Sequence, residues 1–231
     1  MENGVIIACD FPSKEKLVAF LEPFKGLHPY LKVGMEMFDK EGPSLVKELK
    51  DAGFKIFLDL KLHDIPNTVK GAMAKLGELG VDLINIHAEG GIEMMKAARE
   101  GLDSSEAGRA TKLTAVTILT SLNDDILHKE LLIDPKYSLS DVVRKYAENV
   151  KEAGLDGVVC SALEAPIMKE LGLISVCPGI RLLGDDANDQ KRVATPSLAK
   201  ENGATYIVVG RSITKATDPV AAYKKCLEEF R

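Results

Sequence analysis

No C-x-x-C pair occurs in this 231-residue sequence, and its four histidines are too far apart to form a zinc motif. The cysteines, Cys9, Cys160, Cys177 and Cys226, are scattered, three of them inside apolar runs. That pattern reads as core thiols in a reducing cytoplasm, not as a disulfide framework or a metal site. Apolar runs such as Val5-Ile6-Ile7-Ala8 are far short of a membrane span. Met1-Glu2-Asn3-Gly4 shows no basic stretch leading into an apolar one, so no secretory leader is expected. A long basic run is missing too. Thirty Lys+Arg face 35 Asp+Glu, a formal net charge of −5, which leaves no electrostatic footprint for nucleic acid. No Pro/Gly/Ser-rich linker divides the chain, so residues 1–231 are expected to form one domain.

The composition, 45% hydrophobic and 28% charged, is that of a globular protein with a sizeable core. Eight β-branched or apolar runs recur: 5–10, 30–35, 55–61, 83–88, 112–120, 157–162, 174–180 and 206–211. Between them the period turns helical. Ser13 can cap a helix carrying Leu17, Val18, Phe20 and Leu21, and Pro43 opens a stretch that closes near Gly53. Ser140 precedes Val142, Val143, Tyr146 and Val150, and Asp218-Pro219 opens the last helix. Gly53, Gly80, Gly154, Gly172 and Gly203 stand where helices should end.

Continuous apolar strands suit parallel pairing with both faces covered. Eight strand–helix units match a (β/α)8 TIM barrel, which typically takes about 250 residues. An open doubly wound sheet also alternates, but no G-x-G-x-x-G follows the first strand. The barrel is therefore the expected fold. The longer interval after the fifth run leaves room for extra loop structure around 123–139.

Barrel chemistry belongs at the C-terminal ends of the strands. Those ends carry Asp10, Lys32, Asp59, Lys61, His87, Thr120, Arg181 and Arg211 in chain order. The densest cluster is Asp59-Leu60-Lys61-Leu62-His63-Asp64. Side chains alternate along a strand, so Asp59 and Lys61 share a face, here the barrel interior, with Asp64 just beyond. A lysine among carboxylates keeps its proton, which suits a proton donor better than a Schiff-base nucleophile. A structural ion-pair network would use the same residues. At the last strand end, Gly210-Arg211 combines backbone N–H groups open to a phosphate with a bidentate cation; a plain turn would also fit. The polar stretch after Arg181, Leu182 to Gln190, reads as a loop able to close over a ligand, or as a solvated loop.

Phe57-Leu58-Asp59-Leu60-Lys61-Leu62-His63-Asp64-Ile65-Pro66-Asn67-Thr68 closely resembles the signature of the orotidine 5′-monophosphate decarboxylase family, bacterial type. The resemblance spans essentially the whole chain. It takes in Asp10, Lys32-Val33-Gly34, Leu119-Thr120-Ser121, Pro178-Gly179-Ile180-Arg181, Gln190 and Val209-Gly210-Arg211. It implies a cofactor-free (β/α)8 enzyme, usually a homodimer, that converts orotidine 5′-monophosphate to uridine 5′-monophosphate and carbon dioxide, the last step of uridine 5′-monophosphate synthesis. A cytoplasmic location and the lack of a metal are expected from the cysteine and histidine pattern above. By that resemblance Lys61 protonates carbon 6 of the pyrimidine. Lys32, Asp59 and Asp64 complete an alternating charged network, with Asp64 supplied by the neighbouring subunit. Asp10 and Lys32 would hold ribose hydroxyls, Thr68 would reach across the dimer, and Thr120 with Ser121 would lie near the base. Gln190, Gly210 and Arg211 would contact the phosphate, with Arg181 at the closing loop.

Sister enzymes of the same suite act on sugar phosphates through magnesium and resemble this chain in the D-x-K-x-x-D strand. They carry an acidic ligand where this sequence has Lys32. A non-catalytic barrel binding a phosphorylated ligand would not need Lys61 together with both aspartates.

Overall fold

The computed structural model describes residues 4–183 and 193–231. Eight parallel strands pair in sequence order and close on themselves: β1 (Val5–Ala8), β2 (Tyr30–Gly34), β3 (Ile56–Leu62), β4 (Leu83–His87), β5 (Lys112–Val116), β6 (Gly157–Val159), β7 (Ile174–Ile180) and β8 (Tyr206–Val209). Pairing of β1 with β8, Ile6 opposite Val208, seals the barrel and excludes the open sheet.

Helices cover the outside. They are α1 (Lys14–Leu21), α2 (Met35–Asp51), α3 (Pro66–Gly77), α4 (Gly91–Leu102), α5 (Glu106–Ala110), α6 (Asp124–Lys129), α7 (Leu139–Glu152), α8 (Ala165–Leu171), α9 (Pro196–Glu201), α10 (Arg211–Thr214) and α11 (Pro219–Phe230). The described residues thus hold eleven α-helices where eight were expected. Three of the short ones, α5, α6 and α10, are additions to the loops, and α6 fills the long interval after β5. No helix among the described residues is long and apolar enough to cross a membrane.

Local signals explain most helix ends. Ser13 caps α1 by accepting from Lys16 N, and Asp218 caps α11 by accepting from Ala221 N. Inside α2, Gly42 breaks the helix at φ 71° and Pro43 restarts it, as the Pro43 opening anticipates. The cap of α7 is a correction: Ser138 does the capping, reciprocally with Asp141, while Ser140 lies inside the helix. All five glycines expected to end helices have positive φ, and Gly172 at the end of α8 is left-handed at φ 73°.

Two apolar layers result from strand alternation. Val5, Ile7 and Leu31 face outward into the large core beneath the helices, with Leu17 and Phe24. Ile6, Tyr30, Phe57, Leu83, Val176 and Tyr206 form a separate cluster inside the barrel. Lys32, Asp59 and Asn85 each stand two residues beyond Tyr30, Phe57 and Leu83, on the same face. The barrel is therefore apolar below and polar at the C-terminal mouth.

Six strands end earlier than their apolar runs, β5 and β6 by the most. The ladder at β5 stops at Val116 because its partners His87 and Val159 are the last of theirs. Residues 160–162 leave β6 for a 3-10 turn at Ala162–Glu164, capped by Ser161. The ladder slips twice, between Leu58 and Leu62 and between Cys177 and Ile180. Both irregularities flank residues of the mouth, as β-bulges near sites commonly do.

Candidate active site

At the mouth, two ammoniums and two carboxylates alternate. Lys32 Nζ lies 2.9 Å from Asp10 Oδ1 and 3.3 Å from Asp59 Oδ2, and Lys61 Nζ lies 2.7 Å from Asp59 Oδ1. Lys32 and Asp59 are each only 8% exposed, so their charges are stable there because they are paired. Burial disfavours the Lys32 ammonium, yet Asp59 and Asp10 outweigh it and hold its pKa above the ordinary lysine value. Burial likewise disfavours the Asp59 carboxylate, but Lys32 and Lys61, with hydrogen bonds from Lys61 and Asn85, hold it below the usual carboxylate range.

Asn85 completes the cluster. Its Nδ2 donates to Asp59 Oδ1 at 2.7 Å, and its Oδ1 accepts from Lys61 N at 2.8 Å. Sequence reading missed Asn85. Its signal was a lone amide between Ile84 and Ile86 in a buried strand, costly unless hydrogen-bonded.

A cavity of two lobes opens beside this array. The first, about 360 Å³, is bounded by Lys32, Asp59 and Lys61 on its polar side, with Thr120 and Ser121 at the rim. Its remaining wall, including Val116, Ile118, Val159 and Cys160, is apolar and was not anticipated. The second, about 420 Å³, is lined by Asp10, Lys32, Arg181, Gly210 and Arg211, joined by Thr214 and Lys215, which sequence reading also missed. Lys32, Pro178 and Val208 border both lobes, so the two adjoin. Each lobe has the size of a small-molecule site, one walled mostly by apolar side chains, the other by cationic ones.

Arg181 is buried, its Nη1 donating to Ile180 O at 2.9 Å. Asp64 and Thr68 are exposed on the loop after β3 and the first turn of α3, and border neither lobe. Gln190, with residues 184–189 of the loop expected to close over a ligand, lies outside the described residues. His87 ends β4 with its ring 5.6 Å from that of His63, and burial holds it below the ordinary histidine range despite Glu89. All four cysteines are buried, and none is in a disulfide. Burial pushes the Cys9 thiol up to about 12, so no thiolate nucleophile adjoins Asp10.

Among the described residues, no group of three or more His, Cys, Asp or Glu side chains is placed to hold a metal ion. The Lys32 ammonium occupies the space between Asp10 and Asp59 that a bound cation would need.

Known proteins are similar to this chain over its length. The model of the Orotidine 5′-phosphate decarboxylase / HUMPS family matches residues 3–226. Orotidine 5′-phosphate decarboxylases of Bacillus cereus (strain Q1) and Bacillus mycoides (strain KBAB4) are each 52% identical to this chain over 235 residues. Those alignments cover 100% of this chain and 98% of each relative. Among solved structures, the Lactobacillus acidophilus orotidine 5′-phosphate decarboxylase is 40% identical with a TM-score of 0.88, covering 100% of both chains. An uncharacterized conserved protein from Geobacillus kaustophilus is 46% identical with a TM-score of 0.86, covering 98% of this chain and 100% of that one.

Proposed function

The chain belongs to the Orotidine 5′-phosphate decarboxylase / HUMPS family, and from that premise we propose that it converts orotidine 5′-monophosphate to uridine 5′-monophosphate and carbon dioxide. The reading is of a single-domain cytoplasmic enzyme of pyrimidine nucleotide synthesis that uses no cofactor. The observation that carries it is the Lys32–Asp59–Lys61 array set between an apolar lobe and a cationic one.

The chemistry follows from charge. The bond between carbon 6 and the carboxylate breaks, carbon dioxide leaves, and the electron pair stays on carbon 6 in the plane of the ring. The π system cannot delocalise that pair, so a nearby cation must stabilise it. At ~4 Å and an effective dielectric near 20, an ammonium supplies about 4 kcal/mol. Lys61 Nζ is assigned that role, and it then delivers a proton to carbon 6. Asp59 beside the substrate carboxylate opposes the ground state, a repulsion that loss of carbon dioxide relieves.

In this reading the first lobe takes the pyrimidine, with Thr120 near the base, and Asp10 and Lys32 bind the ribose hydroxyls. Gly210, Arg211, Arg181 and Gln190 serve the phosphate. Phosphate binding far from carbon 6 supports rate as well as affinity by holding the ring in place. Asp64 and Thr68 are assigned to the neighbouring protomer's site in a homodimer. Their exposure outside both lobes supports this, as does Ile65 beside them, an apolar side chain 67% exposed.

The reading is tested by following loss of orotate ring absorbance with purified protein in excess chelator. Turnover at the same rate with and without chelator is expected. No turnover would overturn the activity, and turnover restored only by magnesium would overturn the metal-free reading.

A further inference from the structure

Asn85 stands in the middle of β4 with no exposed surface, in a strand otherwise apolar up to His87. Both ends of its amide are used on β3, by the Asp59 carboxylate and the Lys61 backbone N–H. A carboxylate only accepts and a backbone N–H only donates, so one orientation of the amide satisfies both. The backbone at Lys61 is left-handed, φ 53°, in the segment where β3 slips against β4. A non-glycine residue keeps such a conformation only where its surroundings impose it. Here the N–H of that strained residue is held by the same side chain that holds Asp59.

We propose that Asn85 is a positioning residue for the decarboxylation, fixing with one amide both the Asp59 carboxylate and the backbone that aims the Lys61 ammonium. The inference rests on the activity proposed above. Lys61 reaches the reacting carbon through a flexible stem, so its aim depends on where the backbone starts. Asp59 has two oxygens and two lysines to serve, and the Asn85 donor decides which oxygen faces Lys61. A displacement of ~1 Å in such a pair costs about 10²-fold in rate.

Several charged or titratable groups surround residue 85. They are Asp59, Lys61 and His63 from β3 and its end, Lys32 from β2 with Asp10 behind it, and His87 and Glu89 at the end of β4. Across the other ladder, β5 presents Thr114, which is neutral. An aspartate at position 85 would keep the acceptor for Lys61 N–H but set a second carboxylate against Asp59. Such a pair titrates as a unit, and one retained proton would restore the missing donor.

The experiment measures kcat and KM for the full chain carrying Asn85→Ala or Asn85→Asp, with folding checked by thermal melting. Asn85→Ala is expected to lower kcat about 100-fold with KM changed less than about threefold. Asn85→Asp is expected to show kcat rising as pH falls, over a range where the unsubstituted protein does not rise. If Asn85→Ala fails to fold, the Asn85→Asp profile decides. Kinetics matching the unsubstituted protein, parallel pH profiles, or failure of both variants to fold would overturn the inference. If the unsubstituted protein itself leaves orotidine 5′-monophosphate intact, the proposed activity falls and this inference with it.

Discussion

The Lys61 ammonium lies 2.7 Å from Asp59 Oδ1, while the other oxygen of the same carboxylate lies 3.3 Å from Lys32. One buried carboxylate is thus shared by two cations, only one of which borders the first lobe alone. Lys61→Ala removes the proton donor and leaves Asp59 paired to Lys32. Loss of a general acid that also stabilises the carbanion should lower kcat by at least about 10³-fold. The cationic lobe is untouched, so affinity for uridine 5′-monophosphate should change less than about tenfold. Single-turnover kinetics and calorimetric titration check the two halves separately. Normal turnover in this variant would remove Lys61 from the mechanism.

Asp59 also sets a stability dependence whose sign can be worked out. Its carboxyl is held below the usual range in the folded protein, by the net pull of the lysines and Asn85 over burial. A group with a lowered folded value contributes stability above its unfolded value, about 3.9, and loses it as pH falls through the folded one. The difference in unfolding free energy between the unsubstituted protein and Asp59→Asn should therefore be constant near neutrality. It should shrink as pH drops below about 4. Urea unfolding of both proteins across the acid range measures this. A difference that grows on acidification would contradict the assignment.

Arg211 tests the cationic lobe. If its guanidinium holds the phosphate, Arg211→Ala should reduce kcat/KM for orotidine 5′-monophosphate about 10- to 100-fold, the effect of losing a charge-assisted contact. Orotidine, which lacks the phosphate, should be turned over equally by both proteins. Equal losses on the two substrates would mean that Arg211 acts on the fold instead of on the phosphate.

Helix packing supplies a prediction independent of the chemistry. A Cβ placed on Gly101 of α4 would come within 2.2 Å of Lys70 O on α3, so these two helices touch backbone to backbone. Alanine there gains helix propensity, about 1 kcal/mol, but must push α3 aside, and overpacking costs about 1–3 kcal/mol. Gly101→Ala should therefore lower the thermal midpoint. Gly71, with nothing near its Cβ position, is the control, and Gly71→Ala should not.

Much of this was legible from residue order, for identifiable reasons. The eight strands could be read because parallel barrel strands are apolar on both faces, and all eight start within one residue of their runs. Their ends were less legible, because β5 and β6 stop where neighbours stop, and pairing is not a local property. Lys32, Asp59 and Lys61 stood out as charges in buried strands, and the structure brings them together. Asn85 did not stand out, since one amide in a strand says nothing about which strand it faces. Gly101 reads as an ordinary helix glycine until α3 is laid against it. Ser138 and Ser140 were indistinguishable without the reciprocal bond of Asp141.

Asp64 is the remaining member of the signature, and its position makes a prediction about assembly. It is exposed on the loop after β3, its Oδ1 accepting from the adjacent Ile65 N at 2.7 Å, and it borders neither lobe of its own barrel. If it serves a neighbouring protomer's site, each site in a homodimer combines Lys61 of one chain with Asp64 of the other. Lys61→Ala and Asp64→Asn proteins should each be inactive alone. After mixing and exchange, about half the dimers are hybrids. Each hybrid carries one site with both residues intact and one site lacking both. Activity should therefore return to about a quarter of that of the unsubstituted protein, by counting intact sites. The recovered rate should rise at the pace of subunit exchange, and cross-linking each protein before mixing should prevent it. No recovery after demonstrated exchange would mean that Asp64 does not complete the neighbouring site.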